Sequence, residues 1–301
     1  MNAFNPASLA YPVIALAVSP FLLGLINRTK AVWAGRRGQP LLQAYYDIEK
    51  LFGKGAVYSK TTTWVFRAGP IASLGCMVTA SFLVPFGGNP AALAFEGDII
   101  LFAYIMGLAR FFTVAAALDT GSAFEGMGAS REVFFAVITE VVFFLGLAAL
   151  VIQTGSVSLS GVLKAEGALG WASTSLVAAA LFVVILAENC RIPVDDPNTH
   201  LELTMIHEVM VLDHSGPDFA FIQAAQSVKL WLTCSILAQA LIPVMHGGVL
   251  SSIYMVNVVL ALCIAIGTVE STMARLRLIN VPQLIVGAGA LCALGLILLF
   301  R

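Results

Sequence analysis

The chain has 301 residues, 59% of them hydrophobic and only 11% charged, with a mean hydropathy of +0.92. Soluble domains carry about 25% charged residues, so this composition excludes an ordinary water-soluble enzyme and makes lipid the expected solvent. The 16 Lys and Arg nearly cancel the 17 Asp and Glu, and a net charge of -1 excludes a nucleic-acid partner held by a strongly basic surface.

The opening Met1-Asn2-Ala3-Phe4-Asn5 has no basic n-region, so the first apolar run is expected to stay as a membrane span and not to be cleaved as a signal. A window of about 19 residues predicts about eight spans. They fall near 9–26, 68–86, 99–118, 133–152, 171–189, 220–245, 250–272 and 281–300. Their apolar runs are continuous, not alternating, and lipid offers no water to an open strand edge, so helices are expected and not barrel strands. The predicted fold is an all-α polytopic bundle, a single integral membrane domain over 1–301.

Between the first two spans lies a basic loop, 27–67. In it Leu41, Tyr45, Ile48 and Phe52 recur at helical spacing while Asp47, Lys50 and Lys54 supply a polar face, which predicts an amphipathic helix at the membrane surface. The connection from Asp119 to Arg131 is short, with Gly121, Gly126 and Gly128 for tight turns. The third polar connection, 190–219, is acidic. Arg28, Lys30, Arg36, Arg37, Lys50, Lys54, Lys60, Arg67, Arg131, Arg191, Arg275 and Arg277 all fall on one side of the predicted spans, against Lys164 and Arg301 on the other. The basic side is expected to be cytoplasmic, with both termini outside.

Cys76, Cys190, Cys234, Cys263 and Cys292 are scattered singly, which predicts neither a metal centre nor a disulfide framework. The remaining basic residues, Arg110 and Lys229, lie inside spans with Glu140. Each is about eight or nine residues from the cytoplasmic end, a depth of about 12 to 15 Å. An unpaired charge at a helix centre costs about 2.5 to 3.5 kcal/mol on insertion scales, so the three are expected to face one another or water. They read either as a proton path or as a static network that fixes helix packing. Asp119, Glu188 and Glu270 lie nearer the span ends and extend that path if it exists.

The stretch Glu188-Asn189-Cys190-Arg191-Ile192-Pro193-Val194-Asp195-Asp196-Pro197 ends a helix at its prolines and gathers carboxylates around one Arg. His200, Glu202, His207, Glu208, Asp213 and His214 follow, with apolar residues at near-helical spacing from Thr199 to Leu212. Histidines two helical turns apart, about 10.5 Å, are too far apart to share one ion. Titration near neutral pH is the expected use of these His residues, with plain loop solvation as the alternative.

Glu188-x-x-Arg191-x-Pro193-x-Asp195, followed by Glu202-Leu203 and closed by Ser215-Gly216, resembles the acidic loop after the fifth helix of the H-type subunit of complex I, NADH dehydrogenase subunit 1. Arg36-Arg37-Gly38, Leu42-Gln43, Asp47 and Lys50-Leu51-Phe52 resemble its first cytoplasmic loop. Leu118-Asp119-Thr120-Gly121-Ser122, Gly128-Ala129-Ser130-Arg131-Glu132 and Ser271-Thr272-Met273-Ala274-Arg275-Leu276-Arg277 are most similar to the homologous subunit of formate hydrogenlyase and other energy-converting [NiFe]-hydrogenases. The resemblance implies a subunit of the cytoplasmic membrane with no redox centre of its own. The implied partners are soluble hydrogenase-like large and small subunits, an iron–sulfur subunit and antiporter-like membrane subunits, with [NiFe] and iron–sulfur centres held by those partners. It also implies that Glu188, Arg191, Asp195 and Glu202 fall on the acidic-loop positions and Arg36 and Arg37 on the basic first loop; Asp196, His207, Glu208 and Asp213 read from the sequence as part of the same acidic docking wall. Asn198 and His200 stand where complex I has carboxylates, and the segment before Ser215 is longer, which sets this loop apart from a quinone chamber. A quinone-chamber subunit is the alternative, and a self-contained ion transporter a third reading.

Overall fold

A computed structural model of the chain describes residues 6–163, 171–196, 204–242 and 248–300. Among the described residues the chain forms α1 (Pro6–Trp33), α2 (Gln43–Phe52), α3 (Trp64–Ser81), α4 (Asp98–Asp119), α5 (Ala123–Thr154) and the single turn α6 (Leu159–Val162). It continues with α7 (Trp171–Glu188), the single turn α8 (His207–Met210), α9 (Pro217–Leu241), α10 (Val249–Thr272), a 3-10 turn (Leu278–Asn280) and α11 (Val281–Leu299). The protein is an all-helical, multi-pass membrane protein. Among the described residues each predicted apolar stretch coincides for most of its length with a helix, although 82–86 lie beyond the end of α3. Five helices, α1, α4, α5, α10 and α11 with its preceding turn, have both the length and the apolarity to cross a membrane. The predicted number of spans is larger than that: α7 is a shorter apolar helix over its described residues, and α3 and the more polar α9 are not among the five.

That polarity has a physical reason. Helix α9 is the axis of the bundle, touching α1, α2, α3, α7 and α10, and from Leu230 to Ala240 every residue is buried. Trp231, wholly buried, donates from Nε1 to the Tyr11 hydroxyl at 3.1 Å, and Gln239 donates to the Pro85 carbonyl at 2.8 Å. A helix enclosed on all sides needs no polar stripe toward water, and its polar groups are paired inside the protein.

Local chemistry sets the helix ends. Thr63 caps α3, its hydroxyl accepting from the Val65 N–H at 3.2 Å, and Gly155 closes α5 in the left-handed region. Pro217 opens α9, where its missing N–H costs nothing. The amphipathic helix of the first loop forms as α2, with none of its residues buried. The helical spacing from Thr199 to Leu212 yields only α8 in its described part, while 197–203 lie outside the described residues.

The polar connections on the loop side are fastened together. The Asp119 carboxylate accepts from the Thr63 N–H at 2.6 Å, the Thr63 hydroxyl at 2.8 Å and the Phe66 N–H at 3.3 Å. Buried Glu125 accepts from the Asp213 N–H at 3.0 Å, and Val57 N–H donates to the Ser215 hydroxyl at 3.2 Å. These bonds make one platform of three loops.

Candidate functional site

The end of α7 begins the site. Asn189, Cys190 and Arg191 close it in a Schellman turn: the Arg191 N–H reaches the Leu186 carbonyl at 2.8 Å and the Cys190 N–H reaches that of Ala187 at 3.2 Å. Cys190 takes the left-handed position with φ 49°, a place usually held by Gly. This turn sends Glu188 back into the bundle and Arg191 across it.

Arg110 of α4 meets three carboxylates. Its Nη2 donates to both oxygens of Glu188, at 2.7 and 2.6 Å; its Nη1 pairs with Glu140, and its Nε lies 3.4 Å from Glu132. Lys229 of α9 joins the same Glu188 at 2.9 Å. The expected convergence of Arg110, Glu140 and Lys229 is therefore realised in altered form: Arg110 binds Glu140 directly, but Lys229 is linked to it through Glu188. Glu188, expected near the edge of its span, is the hub, and Glu132 was absent from the expected set. Helical geometry offered a signal for Glu132, which sits two turns before Glu140 on one face of α5.

This ionic row separates two cavities. One, of about 90 Å³, gathers Arg191, Asp195, His207 and Glu208 with Lys229, Glu188, Glu132 and Arg110 among apolar residues such as Met77, Met106 and Leu230. The other, of about 370 Å³, has Tyr104, Phe111, Phe143 and Phe144 around Glu140; Arg110 and Glu188 line both. The Glu140 side chain is 43% exposed whereas those of Glu132 and Glu188 are 13% and 9% exposed. The row thus runs from the buried Glu132 and Glu188 to the more exposed Glu140.

Other expected path residues have different places. Glu270, with its side chain wholly buried, lies 2.8 Å from Lys30 Nζ and 3.5 Å from Arg191 Nη1, tying α1 and α10 to the acidic loop as a separate branch. Asp119 holds the start of α3 and joins neither branch. Asp195 is buried: Arg275 lies 2.8 Å away, and the Ile206 and His207 N–H groups donate to it at 3.1 and 3.3 Å. Its work is to fix α8, not to offer an exposed charge. Asp196 is partly exposed; Asp213, Arg36 and Arg37 are exposed. Glu202 and His200 lie outside the described residues, as do Asn198, Lys164 and Arg301.

The two described histidines, His207 and His214, are shifted away from neutral titration. His207 sits against Gln226, and its burial together with Lys229 lowers its pKa to about 4; His214 is stacked on Phe66 with ring centroids 4.0 Å apart, and burial lowers it to about 4 also. Glu208 moves the other way, to about 7, through burial and the charge of Asp195, with Arg191 opposing. An unfolded His has a pKa near 6.5, so between about 6.5 and about 4 the unfolded chain binds more protons and stability falls as the pH falls. Glu208, raised, works in the opposite direction over the same range, so the test is the difference between variants: in thermal unfolding in detergent, His207→Gln should lose less, or gain more, midpoint between pH 7 and pH 5 than the unaltered chain. An equal change in the variant would remove His207 from this role.

The chain is 30% identical to formate hydrogenlyase subunit 4 of Escherichia coli over 293 residues, covering 92% of this chain and 94% of that one. It is 30% identical to hydrogenase-4 component C of the same organism over 239 residues, covering 78% and 75%. A chain in the structure of the membrane-bound sulfane sulfur reductase, an archaeal respiratory membrane complex, shares the fold with a TM-score of 0.80 at 19% identity, covering 97% of each. The NADH dehydrogenase family profile matches residues 7–300, almost the whole sequence, and the chain belongs to that family.

Proposed function

We propose that this chain is the membrane-anchoring, proton-coupling subunit of a hydrogenase or formate hydrogenlyase complex related to complex I. It carries no catalysis alone. The observation that supports the reading is the row Lys229–Glu188–Arg110–Glu140, with Glu132 on the same guanidinium, standing between two cavities. Two cations face three carboxylates there, and a proton is the smallest positive charge that closes the balance. A charge change at the loop side moves the row electrostatically, and Glu140 presents the result at the flank.

In this reading the soluble redox subunits, with their [NiFe] and iron–sulfur centres, dock on the fastened loop platform and on Arg36 and Arg37. Antiporter-like subunits abut the Glu140 flank, and the loops face the cytoplasm from the cytoplasmic membrane. The basic loop 27–67 and the acidic loop 190–219 are the two docking segments of one membrane domain. The quinone-chamber alternative draws less support, because the relatives at 30% identity are subunits named for formate hydrogenlyase and a hydrogenase, whereas the NADH-quinone oxidoreductase relatives match at 24–29%.

Glu140→Gln keeps side-chain size and hydrogen bonding but removes the charge. The assembled complex should form normally, while protons moved per electron fall about tenfold or more, within the range for a lost proton-transfer group. Unchanged stoichiometry in vesicles would count against the proposal.

A further inference from the structure

We propose that Glu208 is the proton port of the loop-side cavity, the carboxyl group through which protons pass between loop-side water and the buried row. This rests on the proton-coupling reading given above and names the group that feeds it.

The observations converge on this side chain. Glu132, Glu140 and Glu188 are each held by Arg110, Glu188 also by Lys229, Asp195 by Arg275, and Glu270 by Lys30 and Arg191. Glu208 alone among the described carboxylates that line this cavity has no cation within 4.0 Å. It is partly exposed, whereas Asp195 beside it is 1% exposed. A carboxylate clamped by a cation resists protonation; one that touches both water and a cavity, unclamped, exchanges freely.

Its position is fixed by the fold. Helix α8 is one turn long, held at its start by Asp195 and pressed on α5 at Gly128, where an added Cβ would come within 3.0 Å of the Ile206 carbonyl oxygen. The charged and titratable groups that line the cavity with Glu208 are Glu188, Cys190, Arg191 and Asp195 from the end of α7 and the turn after it, His207 on α8 itself, Glu132 on α5, Arg110 on α4 and Lys229 on α9. His207 stays neutral near pH 7 and so does not compete. The value of about 7 for Glu208 agrees with the geometry.

In the transfer the O–H bond of protonated Glu208 breaks and its proton passes to water in the cavity. The carboxylate left behind takes a proton from hydronium on the loop side. No electron moves in this step.

The test uses the purified complex carrying Glu208→Gln or Glu208→Asp. Infrared difference titration should show a carboxylic acid band titrating near neutral pH that disappears in Glu208→Gln and persists, shifted, in Glu208→Asp. In vesicles, proton uptake during turnover should fall about tenfold or more in the Gln variant and recover in the Asp variant. A neutral-titrating band that survives unchanged in either variant overturns the proposal, and if the Gln variant does not fold, the Asp variant alone decides. Loss of the band in a complex whose unaltered form moves no protons would uphold Glu208 as the exchanging group and reject the coupling function instead.

Discussion

Replacing Arg110 with Met should leave little folded chain. Its guanidinium, 11% exposed, is bound to Glu132 and Glu140 of α5 and Glu188 of α7, so it joins three helices. Without it, three carboxylates share the region with Lys229, whose one contact is with Glu188. Removing one partner of a buried ion pair costs about 3–5 kcal/mol, because the other charge is left uncompensated. Against a typical total stability of about 5–15 kcal/mol, that loss should show as a sharply lower yield and a lower unfolding midpoint in detergent. Arg110→Lys should recover part, since an ammonium keeps the charge but lacks the planar fork that serves separate acceptors. Adding Glu188→Gln to Arg110→Met should recover part as well, by removing one orphaned charge. Arg110→Met as stable as the unaltered chain would mean that the carboxylates are neutral already and that no ionic row exists.

The sequence made part of this row legible because charge in an apolar stretch is expensive wherever it appears. Arg110, Glu140 and Lys229 stand out by that cost alone. Glu188 was less legible: it lies at the end of its apolar run, where a carboxylate usually meets water, and only the Schellman turn at Cys190 shows that it points inward. Glu132 was hidden for a similar reason, since α5 extends a full ten residues ahead of its predicted apolar span, starting at Ala123, and Glu132 is an interior residue of it. The helical spacing of the His residues could not disclose their surroundings. What holds them neutral is Phe66 stacked on one and burial of the other near Lys229, contacts between segments far apart in the chain. Asp119 and Asp195 show the converse. Their carboxylates read as path or docking groups in sequence, yet both are consumed by backbone N–H groups that loops leave unpaired.

The second large effect is expected at Gly24, where helix propensity and packing predict opposite signs. Ala in place of Gly inside α1 gains about 1 kcal/mol of helix propensity. At this position, however, an added Cβ would fall 1.9 Å from the Leu41 carbonyl oxygen, where the chain crosses α1 just before α2. A backbone oxygen cannot rotate aside as a side chain can, so the crossing itself must lift. With it would go the bond from the Tyr45 hydroxyl to the Ala17 carbonyl, 2.5 Å, and the edge contact of Phe52 with Phe221, whose centroids are 5.3 Å apart. Overpacking costs about 1–3 kcal/mol and more when backbone must move, so Gly24→Ala should be destabilising despite its better propensity. Gly75 in α3 is the matched comparison, since nothing lies within 4 Å of its added Cβ. Gly75→Ala should leave the unfolding midpoint equal or higher. Trypsin cleavage at Lys50 and Lys54 should be about tenfold faster in Gly24→Ala, the factor for a local loss of about 1.4 kcal/mol, and unchanged in Gly75→Ala. If the two variants behave alike, α2 is not seated on α1 at Gly24, and the basic loop has no fixed place on the platform that the redox subunits are proposed to use.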